Sequence, residues 1–307
     1  MSTDETPAAK YILHGALNGH QGSVNCLRAT EDGQILASGG TDGVKLWDLT
    51  TLAALARPNG AGIRGATSAL VWIRREDEAG EILVYGTQIG FVVFWKQNPV
   101  AGKDRRLVVF EEASVFQMAD PGEVTSLAYD AGTNRLAVCH RNTTVQVHSL
   151  DSQIRARAVF SVSYSNFLPK SIAFGETKSG AREIIAFGFH DGRILCLNGT
   201  NGDVTKVLQV GAMIGAVDYN GPALYRFDKD KEHRVKTFEV KNTKPFPRPR
   251  QVCFADDCSS IVSGSDHGVV YVFDRRTGHT MDILRVDPND WVQTVTVRLQ
   301  FQGQGED

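Results

Sequence analysis

Residues 19–48, GHQGSVNCLRATEDGQILASGGTDGVKLWD, carry the clearest fold signal in the chain. It contains three short apolar runs, at residues 24–29, 35–38 and 44–47. Two Asp-Gly turns, Asp32-Gly33 and Asp42-Gly43, separate these runs. Apolar runs joined by Asp-Gly turns predict antiparallel strands, because glycine accepts a positive φ without steric cost. The stretch therefore predicts one small antiparallel sheet.

A Gly-His pair, Gly19-His20, opens the stretch, and a Trp-Asp pair, Trp47-Asp48, closes it. This signature resembles one repeat of the WD-repeat β-propeller family. The resemblance implies an all-β fold in which four-stranded sheets, called blades, repeat around a central axis. It also implies that the protein binds partners, although so widely used a fold does not specify which ones.

Later parts of the chain match this repeat in part. The residues that we place at the Trp47 position are Trp95, His148, Leu197, Phe227 and Phe273. Successive positions are 46–53 residues apart, except for the 30 residues between Leu197 and Phe227. The fifth repeat therefore lacks room for its second strand, and we predict a shortened fifth blade.

The two ends of the chain bear on the number of blades. Residues 291–299, WVQTVTVRL, alternate apolar and polar side chains and predict the first strand of a seventh blade. In the WD-repeat family a leading strand completes the last blade, so the resemblance implies that residues 10–17, KYILHGAL, close the ring. We thus predict nominally seven blades, with blade seven incomplete; six full blades are the alternative. The sequence leaves open whether the short fifth repeat and the abrupt end of the chain are natural or reflect a truncated sequence.

We predict a flexible tail at residues 1–9 and a single, monomeric propeller domain over residues 10–307.

The composition limits the kinds of partner. The chain has 33 basic and 35 acidic residues and a formal net charge of −2. This balance argues against general binding to nucleic acid or to an anionic membrane. Protein or peptide partners are the expectation.

The cysteines and the N-terminus suggest a compartment. The five cysteines are odd in number and dispersed, and most lie in apolar runs, as expected in a reducing environment. Residues 1–10 contain no apolar stretch typical of a signal peptide, and no window approaches the roughly 20 apolar residues of a membrane span. We therefore expect a cytoplasmic or nuclear protein.

Four residues of the first repeat occupy special positions of the family. The resemblance implies a hydrogen-bonded structural tetrad in which Asp42 bonds His20, His20 bonds Ser38, and Ser38 bonds the indole of Trp47. A Ser/His/Asp set also invites comparison with a catalytic triad. A triad needs an exposed nucleophile beside an oxyanion hole, and the chain has no GxSxG elbow. We therefore predict a non-catalytic protein, not an enzyme.

The turn between the second and third strands lies, in this family, on a rim that commonly binds partners. The residues that precede the Asp42 position are Thr41, Gln88, Arg141, His190 and Asp266. Five different residue types at one position are typical of a surface tailored to an irregular partner, although tolerated surface substitutions would give the same pattern. Trp291 is a further candidate, as an exposed aromatic anchor on this rim or as a packed aromatic.

Two other functions remain as alternatives. Residues 273–276 resemble the Trp-Asp-x-Arg box of WD-repeat substrate receptors of cullin ubiquitin ligases, with Phe273 replacing Trp and with Asp274 and Arg276 matching. A carbohydrate-binding propeller would need an aromatic that recurs in every blade, which the rim positions do not supply.

The eight histidines lack metal-ligand spacing, and the glycine clusters lack a Lys-Ser/Thr partner, so we expect neither metal nor cofactor.

Overall fold

A computed structural model describes residues 11–12, 14–75, 80–98, 109–119, 122–178, 181–188, 192–210, 223–227, 232–241, 251–286 and 291–297. Every regular element in these ranges is a β-strand. No helix that is long and apolar enough to cross a membrane occurs in this part of the chain.

Five four-stranded antiparallel sheets follow one another along the described chain. Sheet one contains β1 (Val24–Ala29), β2 (Ile35–Gly40), β3 (Gly43–Asp48) and β4 (Ala53–Leu55). Sheet two contains β5 (Thr67–Ile73), β6 (Ile82–Thr87), β7 (Phe91–Asn98) and β8 (Val109–Gln117). Sheet three contains β9 (Val124–Asp130), β10 (Arg135–His140), β11 (Thr144–Leu150) and β12 (Ala156–Ser163).

Sheet four contains β13 (Pro169–Lys178), β14 (Ala181–Gly188), β15 (Arg193–Leu197) and β16 (Val204–Gln209). A two-stranded sheet of β17 (Ala223–Phe227) and β18 (Glu232–Thr237) comes next. Sheet five contains β19 (Val252–Ala255), β20 (Ser260–Ser263), β21 (Val269–Asp274) and β22 (Thr280–Arg285). In all five four-stranded sheets the strands pair in chain order, as in a propeller blade.

The sheets pack as propeller blades because sheets two to five carry apolar clusters on both faces. In β7, Val92 and Phe94 belong to the core shared with sheet three, whereas Val93 and Trp95 belong to the core shared with sheet one. Successive side chains of a strand point to opposite faces, so a continuous apolar run can serve two neighbours. The first strands contact one another in turn, β1 with β5, β5 with β9 and β9 with β13.

The first strands of the five sheets, together with Gln251 and Gln293, line a central cavity of about 360 Å³, which we call the axial cavity. Polar side chains near the start of three of these strands join neighbouring sheets. Asn25 Nδ2 donates to the Thr67 carbonyl at 3.0 Å, Ser68 Oγ to that of Val124 at 2.7 Å, and Thr125 Oγ1 to that of Pro169 at 2.8 Å. The same device thus links sheets one to four around the axis.

The predicted number of blades is wrong, both as seven and as six. The described residues form five four-stranded blades. In the short fifth repeat, Phe227 lies in the hairpin β17–β18. The first strand predicted for that repeat, residues 214–219, lies outside the described residues.

The described residues likewise form no seventh blade closed by the N-terminal segment. Residues 11–12, 14–17 and 291–297 contain no assigned strand, and the rest of the two predicted strands lies outside the described residues. Tyr11, Val292, Val295 and Val297 instead pack as an apolar cover on one face of sheet five. Two backbone bonds, Gln251 N to Gln293 O at 2.9 Å and Val292 N to Ser265 O at 2.8 Å, join residues 291–297 to the chain of that sheet. Tyr11 and residues 291–297 thus contact sheet five, and the described residues of these two segments form no ladder.

Candidate functional site

The four predicted tetrad residues form one chain of hydrogen bonds in sheet one. His20 Nδ1 lies 2.5 Å from Asp42 Oδ1, and His20 Nε2 lies 2.7 Å from Ser38 Oγ. The indole Nε1 of Trp47 donates to the same Ser38 oxygen at 2.7 Å. With the Nδ1 proton on His20, each group has a matching donor or acceptor: the serine hydroxyl donates to Nε2 and accepts from the indole.

The tetrad holds the β2–β3 turn. Asp42 Oδ2 also accepts from the backbone amide of Gln21 at 3.1 Å and lies 3.2 Å from Lys45 Nζ. Partial burial alone would raise the pKa of Asp42, but the hydrogen bonds from His20, Gln21 and Lys45 outweigh it and hold that pKa well below its usual range. The turn carboxylate is therefore charged and ties the segment before β1 to the turn.

The order Asp42–His20–Ser38 matches the connectivity of a catalytic triad, but its surroundings do not suit that chemistry. Ser38 is only 3% exposed, and its oxygen already accepts the indole proton. An attacking serine needs a free approach to a substrate carbonyl and donors for the developing oxyanion. The arrangement instead satisfies buried polar groups.

The exposed rim is built in the same way in sheets one to three. Each residue that follows β2, β6 or β10 donates its backbone N–H to the carbonyl of the residue before that sheet's first strand. The pairs are Thr41 N to Ser23 O (3.2 Å), Gln88 N to Ala66 O (2.9 Å) and Arg141 N to Glu123 O (2.9 Å). Their side chains are exposed, so three different side chains stand at one structural position.

The other predicted rim residues are placed differently. Asp266 is only 1% exposed, and its Oδ1 lies 2.9 Å from His267 Nδ1. His267 Nε2 in turn lies 3.0 Å from the hydroxyl of Tyr271. This buried network removes Asp266 from the surface, which the sequence did not indicate. Trp291 is half-buried, and His190 lies outside the described residues.

The adaptor-like box lies at the β21–β22 turn. Phe273 is fully buried at the position of Trp47. Asp274 Oδ1 accepts from the backbone N–H and the hydroxyl of Thr277 at 2.6 and 2.7 Å, and these bonds lower the pKa of Asp274. Asp48 closes the β3–β4 turn similarly, by accepting from Thr50 N and Thr51 N at 2.8 Å. Arg276 is exposed at that turn.

A cleft of about 280 Å³ between sheets one and two opens beside the rim residue Thr41. Its lining includes Arg57, Tyr85 and Arg64, and Arg64 forms a bidentate ion pair with Glu112, with both N–O distances 2.7 Å. Ile63, on the same loop, is 93% exposed. Sequence reasoning missed this cleft; the available signal was the loop at residues 60–65, where an isoleucine and an arginine stand among glycines.

No group of three or more His, Cys, Asp or Glu side chains suited to a metal ion occurs in the described ranges. The model of the family "WD domain, G-beta repeat" matches residues 12–48, which include the tetrad. No curated protein sequence matches the chain. The match of the first repeat to this family and the propeller arrangement of the sheets together support a WD-repeat β-propeller family for this chain.

Proposed function

We propose that this propeller is a non-catalytic scaffold that binds protein or peptide partners through the rim of its β2–β3-type turns. WD-repeat propellers generally mediate protein–protein interactions and are generally non-catalytic. The observation that carries the proposal is the rim itself: Thr41, Gln88 and Arg141 are held by equivalent backbone bonds, yet they present different chemistry to solvent. A rigid frame with variable side chains is suited to recognising an irregular surface.

The binding surface extends from the rim into the cleft beside Thr41. Ile63 supplies an exposed apolar side chain there, and Arg57 and Arg64 supply planar donors. Arginine and apolar anchors beside a pocket are typical of the residues that dominate interface energetics. Glu112 holds Arg64 in place, so its side chain is ordered before a partner arrives.

The experiment compares two matched arginines at opposite ends of the propeller. Arg141, on the rim, pairs with Glu123, and Arg155, on the β11–β12 turn, pairs with Asp151; both arginines are exposed. Consecutive strands are antiparallel, so these two turns lie at opposite ends of sheet three. Affinity capture with quantitative mass spectrometry should show partners lost from Arg141→Glu combined with Ile63→Ser, and retained by Arg155→Glu.

Retention of every partner by the rim variant would refute this choice of surface. Loss of partners from the Arg155→Glu control alone would place binding at the other end. Circular dichroism melting curves of all variants must first show that each remains folded.

A further inference from the structure

One rim turn carries a residue whose backbone conformation is unfavourable for its side chain. In each of the five sheets, the turn between the second and third strands ends on a residue with a positive φ. Four of these residues are glycines, which adopt a positive φ without steric cost. They are Gly43, Gly90, Gly192 and Gly268, with φ from +68° to +95°. Sheet three has Thr143 at this place, with φ +76°, and for a β-branched side chain this conformation destabilises the fold.

A second β-branched residue of sheet three shows how such strain is offset within the protein. Ile154, in the turn between β11 and β12, has φ +61°. Its side chain is only 1% exposed and packs in the core that sheets two and three share. Its N–H donates to the Asp151 carbonyl at 3.0 Å. Burial of the apolar side chain therefore compensates for the unfavourable backbone conformation.

Thr143 has no comparable compensation. Its side chain is partly exposed, and its hydroxyl makes no hydrogen bond within the described ranges. Its carbonyl accepts from the Tyr164 N–H at 3.0 Å, but that contact belongs to the backbone, and a glycine would make it equally well. The free protein thus gains no hydrogen bond from the side chain that strains the turn.

The residue that leads into this turn is also poorly accommodated. His140, at the end of β10, is 0% exposed, and neither of its ring nitrogens has a hydrogen-bond partner among the described residues. An imidazole carries at least one N–H donor in either protonation state, and burial of that donor without a partner costs free energy. In sheet one, by contrast, the bond between His20 and Asp42 holds the corresponding turn. Backbone strain and an unsatisfied buried group therefore coincide at the β10–β11 turn, as they do at functional sites.

Building on the proposed scaffold function, we propose that the β10–β11 turn is the centre of the binding rim and that the Thr143 side chain contacts the bound protein directly. Thr143 stands two residues after the exposed Arg141, on the same turn. A threonine hydroxyl both donates and accepts a hydrogen bond, so it suits a backbone peptide group of an extended segment of the partner. Binding then supplies the hydrogen bond that the side chain lacks in the free protein.

The test combines capture of partners with thermal unfolding. The probes are the proteins that the wild-type chain captures and that the Arg141→Glu, Ile63→Ser variant loses. Thr143→Gly removes both the side chain and the strain, so its unfolding midpoint should not fall and should rise by up to about 3 °C. Its capture of the probe proteins should nevertheless decrease about tenfold. Thr143→Val, which keeps the shape and the strain, should show the same decrease, whereas Thr143→Ser, which keeps the hydroxyl, should capture as the wild type does.

Two matched variants separate the strain from the contact. Gly43→Thr places a threonine at the same position of sheet one, where an added Cβ would meet no heavy atom within 4 Å. It should lower the unfolding midpoint by about 2–6 °C, which measures the strain. Asn134→Gly changes a residue with φ +51° in the β9–β10 turn, at the opposite end of sheet three. It should capture the probe proteins as the wild type does.

Wild-type capture by Thr143→Gly and Thr143→Val would overturn the role of Thr143. The proposed function would survive that result, because the Arg141→Glu, Ile63→Ser variant still loses the same proteins. An unfolding midpoint of Thr143→Gly below that of wild type would show that the threonine stabilises the free protein, which also overturns this role. Retention of every partner by the Arg141→Glu, Ile63→Ser variant would refute the proposed function and this role together.

Discussion

Sheets one and two place a tryptophan at the same position and treat its polar atom differently. Trp47 is 3% exposed and Trp95 is 0% exposed. The indole N–H of Trp47 donates to Ser38, whereas that of Trp95 has no hydrogen-bond partner among the described residues. Tyr85 stands in sheet two where Ser38 stands in sheet one, and its ring meets Trp95 edge-on with centroids 5.1 Å apart.

The comparison separates two requirements for the side chain at this position, namely its bulk and its hydrogen bonding. Every four-stranded sheet fills it with a buried side chain, including His148, Leu197 and Phe273, so bulk is the common requirement. The hydrogen-bonded tetrad is an addition seen in sheet one. Sheet two leaves a buried donor unsatisfied, which costs stability, and compensates through its apolar cores on both faces.

The largest expected effect concerns His148, which occupies the position in sheet three. Burial lowers the pKa of His148 to about 4. The unfolded chain therefore binds a proton at this histidine below about pH 6.5, whereas the folded protein binds it only below about pH 4. The free energy of unfolding falls between these two pH values. This decrease should approach about 3 kcal/mol near pH 4 and be absent above pH 7.

Urea titrations from pH 7.5 to 4.5 would measure this effect. His148→Leu, which copies the residue of sheet four, should flatten this part of the profile. His279→Gln, at an exposed histidine, is the control and should keep it. An identical pH dependence in wild type and His148→Leu would contradict the assignment.

The second prediction concerns a variant in which Trp47 of sheet one loses its hydrogen-bond partner and so resembles Trp95 of sheet two. Ser38→Ala removes the hydroxyl that joins His20 to Trp47 and leaves two buried polar atoms without partners. We expect the free energy of unfolding to fall by about 2–3 kcal/mol. Chemical denaturation at pH 7 measures it. A loss below about 0.5 kcal/mol would mean that the tetrad contributes little.

The third prediction contrasts the two tryptophans directly. Replacement by phenylalanine costs about 1 kcal/mol of packing at either site. Trp47→Phe also loses a hydrogen bond, whereas Trp95→Phe removes an unsatisfied donor. Trp47→Phe should therefore be the more destabilising by about 1–2 kcal/mol. Equal losses in paired denaturation curves would show that Trp95 gains a partner in solution, such as water.

The smallest effect is expected for Asp42. Its lowered pKa means that the charged carboxylate stabilises the fold above the unfolded pKa of about 3.9, and that this contribution is lost as the pH falls below it. Asp42→Asn should cost about 1 kcal/mol at pH 7, reduced by solvent screening of the turn. The difference in stability between wild type and Asp42→Asn, followed by thermal melting, should stay constant down to about pH 4 and become smaller at lower pH. A gap that widens in acid would refute this account.

Features that depend on neighbouring residues could be predicted from the sequence. The apolar run at residues 24–29 coincides with β1, and the other runs of the first repeat match β2 and β3 within two residues. The tetrad lies within 28 residues, inside a single sheet, so its pattern is readable without knowledge of the other sheets. The exposed positions of Thr41, Gln88 and Arg141 follow from the same repeat.

Features that join distant residues could not be predicted. Asp266 shares the repeat position of Thr41, but His267 and Tyr271 draw it into a buried network. The cleft at Ile63 and the axial cavity are each lined by residues from more than one sheet. The predicted number of blades was wrong for a similar reason. Whether a strand-like segment joins a sheet depends on whether the edge of a partner strand lies beside it.

The repeating unit follows from local sequence, because alternating side chains and Asp-Gly turns together specify one antiparallel sheet. The number of sheets that complete four strands, and the turn residues that reach solvent, are set only when the sheets pack together. These properties depend on which surfaces of different sheets come into contact. Burial and charge at such a contact depend on residues that are far apart in the sequence.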